Sequence, residues 1–144
     1  MLSTVVLLVD DEVPFVEAME RRLAKRGLDV KTAFSGEEAL QRLKELKNID
    51  VIILDVKMPG MDGLETLKQI KKSHPIVEVI MLTGHATVET AIDGMKLGAY
   101  DYLMKPSDMD VLMKKLTAAK AKKSQHEQKI ITAQAQNIAN RRGD

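Results

Sequence analysis

Val5-Val6-Leu7-Leu8-Val9-Asp10-Asp11-Glu12 is an unbroken apolar run that stops on acids. Such a run has no alternation of polar and apolar residues, so both faces of the strand it predicts must be covered, as in a parallel sheet flanked by helices. Two more segments repeat the pattern: Val51-Ile52-Ile53-Leu54-Asp55 and Tyr102-Leu103-Met104-Lys105-Pro106. In each case the charge falls at the strand's carboxyl end, where open parallel sheets place their sites.

The segments between them read as helices. Pro14 suits a first helical turn, and Phe15, Met19 and Leu23 recur at helical spacing up to Gly27. Asp29 to Phe34 reads as a second strand. Ser35-Gly36-Glu37-Glu38 has capping-box spacing and opens a helix through Ala39, Leu40, Leu43 and Leu46. Val51 to Leu54 is the third strand. After the turn Met58-Pro59-Gly60-Met61-Asp62-Gly63, a helix with Leu64, Leu67 and Ile70 inward runs to His74-Pro75. Val77 to Leu82 is the fourth strand. Thr83-Gly84-His85-Ala86-Thr87 leads into a weaker helix with Gly94 inside it and Gly98 just past its end. Tyr100 to Met104 is the fifth strand, and Ser107 or Asp108 can cap a last helix carrying Val111, Leu112 and Leu116.

Five strands alternating with five helices define an α/β fold, a doubly wound parallel sheet with helices on both faces. Of the two common strand orders, five strands fit 2-1-3-4-5, the flavodoxin-like one, which makes the first and third strands neighbours at the switch point. Asp10, Asp11 and Asp55 then face one another, with Thr83 and Lys105 at the same edge.

The chain has 144 residues, 44% of them hydrophobic but only 3% aromatic, so the core is aliphatic with nine Met as adaptable filler. It contains no Cys, which excludes disulfides and thiolate metal sites and gives no reason to place it in an oxidising compartment. Met1 to Val9 has no basic lead and only a short apolar stretch, so neither a signal peptide nor a membrane span is expected and the cytoplasm is the expected location. The net charge of +1 hides an acidic body and a basic tail after residue 110, which the Lys content of a solvated helix face accounts for.

Three close carboxylates repel one another strongly enough to need a cation. Hard oxygen donors without His or Cys suit Mg²⁺ (or Mn²⁺). An Asp-Asp-Glu run alone could equally be a solvated turn or a helix cap. Against that stands the coincidence of one hydroxyl, one ammonium and three carboxylates at a single sheet edge. A carboxylate beside a metal can act as a nucleophile toward phosphorus, with Lys105 and the metal neutralising charge on the phosphoryl oxygens.

At these residues the sequence resembles the receiver domain of bacterial two-component response regulators, from about Thr4 to Leu116. The family pattern appears here as Asp10-Asp11, Asp55 with Met58-Pro59-Gly60-Met61-Asp62-Gly63, Thr83, and Lys105-Pro106. The resemblance implies a regulatory phosphoacceptor in phosphorelay signalling, not an enzyme with a substrate of its own. Asp55 would accept a phosphoryl group from a histidine kinase or phosphotransfer protein. Asp11, Asp55 and the backbone carbonyl of Lys57 would ligate the metal, with Asp10 acting mainly through water; Lys105 would contact the phosphoryl group, and its bond to Pro106 would be cis. Thr83 and Tyr102 would form a switch that reshapes the face of the fourth helix, fifth strand and fifth helix for a downstream protein, with a phosphorylation-dependent homodimer as one form of that docking. By position alone Tyr102 is a packing residue. Lys57 and His85, two residues after Asp55 and Thr83, would tune the lifetime of the acyl phosphate; as isolated residues they read equally well as solvated loop positions.

The expected organisation is a receiver domain over residues 1–120 and a C-terminal helical extension or linker over 121–144, with no output domain. That last stretch is rich in Ala, Gln and Lys and has only a narrow apolar stripe at Ile130, Ile131, Ala135 and Ile138. The chain either acts by docking or is the receiver fragment of a larger transcriptional regulator; nucleic acid is not an expected partner of this chain alone, nor is a membrane. An aspartyl-phosphate phosphatase of the haloacid-dehalogenase type is disfavoured because its acid/base Asp would fall on Lys57. A flavodoxin-like electron carrier is disfavoured because Asp10-Asp11-Glu12 would repel a bound phosphate.

Overall fold

A computed structural model describes residues 3–142. Strands β1 (Val5–Val9), β2 (Asp29–Ala33), β3 (Val51–Leu54), β4 (Glu78–Thr83) and β5 (Asp101–Met104) alternate with helices α1 (Val13–Lys25), α2 (Gly36–Glu45), α3 (Gly63–Ser73), α4 (Val88–Lys96) and α5 (Met109–Arg142). The sheet is parallel throughout and its order is β2-β1-β3-β4-β5, the order expected from the strand count. The expected limits move by a residue at four strand ends: β2 stops at Ala33, β4 begins at Glu78 and runs on to include Thr83, and β5 begins at Asp101 because Tyr100 lies just outside the ladder.

Side chains alternate between two cores. Val5, Leu7 and Val9 point with Ile52 and Leu54 toward α2 and α3, where Ala39, Leu43, Leu67 and Ile70 meet them. Val6 and Leu8 point with Val51 and Ile53 the other way, toward Val16, Met19 and Leu23 of α1 and Leu112, Leu116 and Ala119 of α5. This two-sided burial is why the strands contain no polar alternation; each of these Leu and Ile side chains contributes about 2 kcal/mol by leaving water.

The helix ends follow local chemistry. Ser35 caps α2 by accepting from the Glu38 amide at 3.1 Å, but the Glu38 carboxylate reaches one residue further back than a capping box would, to the amide of Phe34. Asp62 caps α3 by accepting from Glu65, and Asp108 caps α5 by accepting from Asp110 and Val111. Thr87 and Thr90 cap α4 reciprocally.

The extended C-terminal helix is continuous through residue 142. Its first turns pack on the sheet, and two buried acids hold its middle. Asp50, just before β3, accepts from Lys120 at 2.8 Å and Lys123 at 3.1 Å and also from the Val5 amide at 2.9 Å. Glu78, at the start of β4, lies 3.6 Å from Lys122 and 3.8 Å from Lys71. Beyond Glu127 every described side chain through Asn140 is exposed, Ile130, Ile131 and Ile138 among them.

Candidate phosphoacceptor site

The site forms where four strands end together. Val9 pairs with Leu54, Leu54 with Met81, and Thr83 with Met104, so the residues that follow these positions emerge at one rim. The last backbone hydrogen bonds of the sheet fix them: the Asp10 amide donates to Ala33, the Asp55 amide to Val9 at 3.0 Å, and the Lys105 amide to Thr83 at 2.8 Å. Rim position is thus inherited from the strand register, which the buried apolar faces dictate.

Asp10, Asp11 and Asp55 each present a carboxylate oxygen within 4.8 Å of the others. Asp10 and Asp55 are buried and Asp11 is half-buried. At that separation and an effective dielectric of about 20, each ionised pair repels by roughly 3 kcal/mol. The donor set is therefore matched to a hard divalent cation, all oxygen and net negative, with water able to complete the shell. Asp55 Oδ1 accepts from the Val56 amide at 2.9 Å, and Asp10 Oδ1 from the Glu12 amide at 2.9 Å.

Lys105 Nζ donates to Asp10 Oδ2 at 2.6 Å and lies 3.6 Å from Glu12. Burial is the largest influence on Asp10 and raises its carboxyl above the ordinary value; the Lys105 and Glu12 hydrogen bonds offset this only in part, and the Asp55 charge adds to it. Burial alone would lower Lys105, but its hydrogen bond to Asp10 and the charges of Asp10, Asp55 and Glu12 outweigh it and raise the ammonium. The upward shift of Lys105 keeps its ammonium charged beside the acids. The Lys105–Pro106 peptide bond is cis.

The loop after Asp55 closes on the strand. Gly63 donates to the Val56 carbonyl at 2.6 Å, and a Cβ at Gly63 would overlap the Asp55 carbonyl oxygen, so the turn needs glycine there to let α3 start against the strand end. Gly60 takes a positive φ of 75° in the same turn.

Thr83 is fully buried, and its Oγ1 accepts from the His85 amide at 3.0 Å, leaving its O–H to donate. The Tyr102 phenol meets the Thr90 hydroxyl at 2.7 Å, and its ring lies against Gly94, where an added Cβ would come within 3.4 Å. Lys57 and His85 are exposed and line one cavity mouth together with Asp11, Met58 and Pro59. Every residue singled out from the sequence thus lies at or behind this rim. Three neighbours have no site role in the sequence reading: Glu12, which reads as the end of the acidic run, Phe15, whose place in the apolar stripe of α1 hides a second contact, and Thr90, whose only sequence signal is its spacing from Thr87.

The family model for the response regulator receiver domain matches residues 6–117. Transcriptional regulatory protein ZraR of Salmonella typhimurium is 40% identical over 116 residues, 81% of this chain and 26% of that protein. DNA-binding transcriptional regulator NtrC of Escherichia coli is 44% identical over 106 residues, 74% of this chain and 22% of that protein. The chain therefore spans about a quarter of the length of the curated relatives it matches. Among solved structures, a response regulator receiver domain protein from Clostridium thermocellum superposes with a TM-score of 0.80 at 38% identity, covering 84% of this chain and 97% of that one. The receiver domain of NtrX from Brucella abortus gives 0.75 at 35% identity, covering 81% and 98%. The chain belongs to the response regulator receiver domain family, the regulatory module of two-component phosphorelay signalling. Among the described residues no helix is long and apolar enough to cross a membrane.

Proposed function

We propose that this receiver domain takes a phosphoryl group onto Asp55 from the phosphohistidine of a histidine kinase or phosphotransfer protein, and that the aspartyl phosphate resets the surface of α4, β5 and α5 for a protein partner in the cytoplasm. The observation that carries this reading is the convergence of Asp10, Asp11 and Asp55 within 4.8 Å, beside an ammonium bonded to Asp10 at 2.6 Å.

Asp11 and Asp55, with the Lys57 carbonyl, would hold Mg²⁺ or Mn²⁺, and Asp10 would reach it through water. When bound, the ion neutralises the acids and the phosphoryl oxygens. Asp55 supplies the attacking carboxylate oxygen: its bond to phosphorus forms as the bond from phosphorus to the donor imidazole nitrogen breaks, and that nitrogen keeps the electron pair. Lys105 moves from Asp10 toward a phosphoryl oxygen, and the Thr83 O–H donates to another. The displacement of Thr83 opens room behind it for Tyr102, which gives up its bond to Thr90 and so frees α4 to shift. Lys57 and His85, at the cavity mouth, govern the approach of hydrolytic water, so their substitution changes dephosphorylation without preventing phosphorylation.

Residues 1–120 act in this reading as the receiver unit, and 121–144 as an extension or linker that carries its state outward; residues 1, 2, 143 and 144 lie outside the described ones. Fluoroberyllate, a stable mimic of the acyl phosphate, tests the site: with Mg²⁺ it should shift the resonances of Thr83 and Tyr102 in wild type and not in Asp55→Asn. Equal shifts in both proteins would refute it.

A further inference from the structure

The Lys105 ammonium is 4.0 Å from the centroid of the Phe15 ring. It is thus held from three sides, by the carboxylate of Asp10 at 2.6 Å, the carboxylate of Glu12 at 3.6 Å and the face of an aromatic ring. All three come from the segment that leaves β1 and opens α1. Lys105 itself comes from the far side of the chain, 95 residues away.

A lysine side chain has four flexible bonds, and its ammonium seeks water. Here it is 14% exposed, so a path to solvent exists. Asp10 alone anchors the nitrogen at one point and leaves the stem free to pivot about it. A ring face set against a cation adds a second, differently directed attraction, which is strongest where water is scarce. It also blocks the volume into which the stem would swing. Phe15 is half-buried in the α1–α5 core, so the ring is itself immobilised by packing. An aliphatic side chain at this position would fill the core equally well and would offer the ammonium nothing.

We propose that Phe15 is a positioning residue, which holds the Lys105 ammonium at the acidic rim so that it meets an incoming phosphoryl group without a search through solvent. This rests on the phosphoacceptor reading. Phe15 touches neither Asp55 nor the phosphoryl group in this account and acts only through Lys105, which separates its effect from general packing.

The test compares the wild-type chain, Phe15→Leu and Phe15→Tyr, each with and without Lys105→Met. In the resting protein the ring should shift the Lys105 ε-methylene protons upfield, a signature retained with Tyr and lost with Leu. Fluoroberyllate with Mg²⁺ should bind about fivefold more weakly to Phe15→Leu, with Tyr restoring the affinity. In the Lys105→Met background, Phe15→Leu should cost nothing further. Equal loss in both backgrounds would make Phe15 a packing residue and overturn the proposal, as would a wild type without the upfield shift. A wild type that shows the shift but binds no fluoroberyllate would instead overturn the phosphoacceptor reading and leave the ring–ammonium contact standing.

Discussion

The Thr90 hydroxyl and the Tyr102 phenol meet at 2.7 Å, which ties the first turn of α4 to the middle of β5. Removing one partner costs about 1 kcal/mol, the net value of an ordinary hydrogen bond. Tyr102→Phe should therefore speed amide exchange in α4 by roughly fivefold and leave exchange in β1 and β3 unchanged. Hydrogen exchange read by mass spectrometry checks this; uniform acceleration across the sheet would show that the ring packs the core and does not tether α4.

The acid cluster should make metal binding and stability oppose each other in one residue. Asp11 is the half-buried member, so Asp11→Asn removes repulsion at little packing cost and should stabilise the metal-free protein by on the order of 1 kcal/mol. The same change should abolish the rise in Tm that Mg²⁺ gives wild type by mass action. Thermal denaturation with and without Mg²⁺ measures both; an unchanged Mg²⁺ response in the variant contradicts the assignment of Asp11 as a ligand.

Asp50 holds α5 at the opposite end of the sheet. Burial is the largest influence on its carboxyl and acts to raise it, but the hydrogen bonds from Lys120, Val5 and Lys123 outweigh burial, so its pKa lies below the ordinary 3.8. A depressed carboxyl contributes stability above its unfolded pKa and loses it as pH falls through the folded value. Asp50→Asn should thus cost about 1–2 kcal/mol at neutral pH, because Lys120 and Lys123 lose a charged acceptor while Lys123 keeps Glu127 at 3.2 Å. The gap to wild type should hold constant down to about pH 4 and close below it. Denaturant titrations across pH decide this; a gap that widens in acid reverses the assignment.

Gly63 and Gly27 should respond differently to the same substitution. A Cβ at Gly63 would strike the Asp55 carbonyl, whereas Gly27, at φ 86°, has nothing within 4 Å. Gly27→Ala should cost about 1 kcal/mol from its backbone alone. Gly63→Ala should cost at least twice that and displace Asp55. Equal costs would mean that the turn after β3 yields freely.

The fold was legible because β1 and β3 are buried on both faces, which leaves Val, Leu and Ile as their only vocabulary and puts the first polar residue at the rim. Asp10, Asp55 and Lys105 could therefore be placed together from strand ends alone. Contacts made through side chains of a second kind could not. Phe15 satisfies the α1 stripe, so its role toward Lys105 left no periodic trace. Asp50 sits one residue ahead of β3 and reads as loop, although it is buried and paired with lysines of α5. Thr90 reads as a weak helix residue, and its bond to Tyr102 depends on how α4 lies against β5. Pairings between distant elements follow from tertiary geometry, which no local spacing encodes.

In the proposed function the carboxylate of Asp55 carries a phosphoryl group. Incubation with acetyl phosphate and Mg²⁺, followed by intact mass measurement, tests it most directly. Wild type should gain one phosphoryl group that is lost on treatment with hydroxylamine, and Asp55→Asn should gain none. Uptake by Asp55→Asn equal to that of wild type, or none by wild type, would contradict the account.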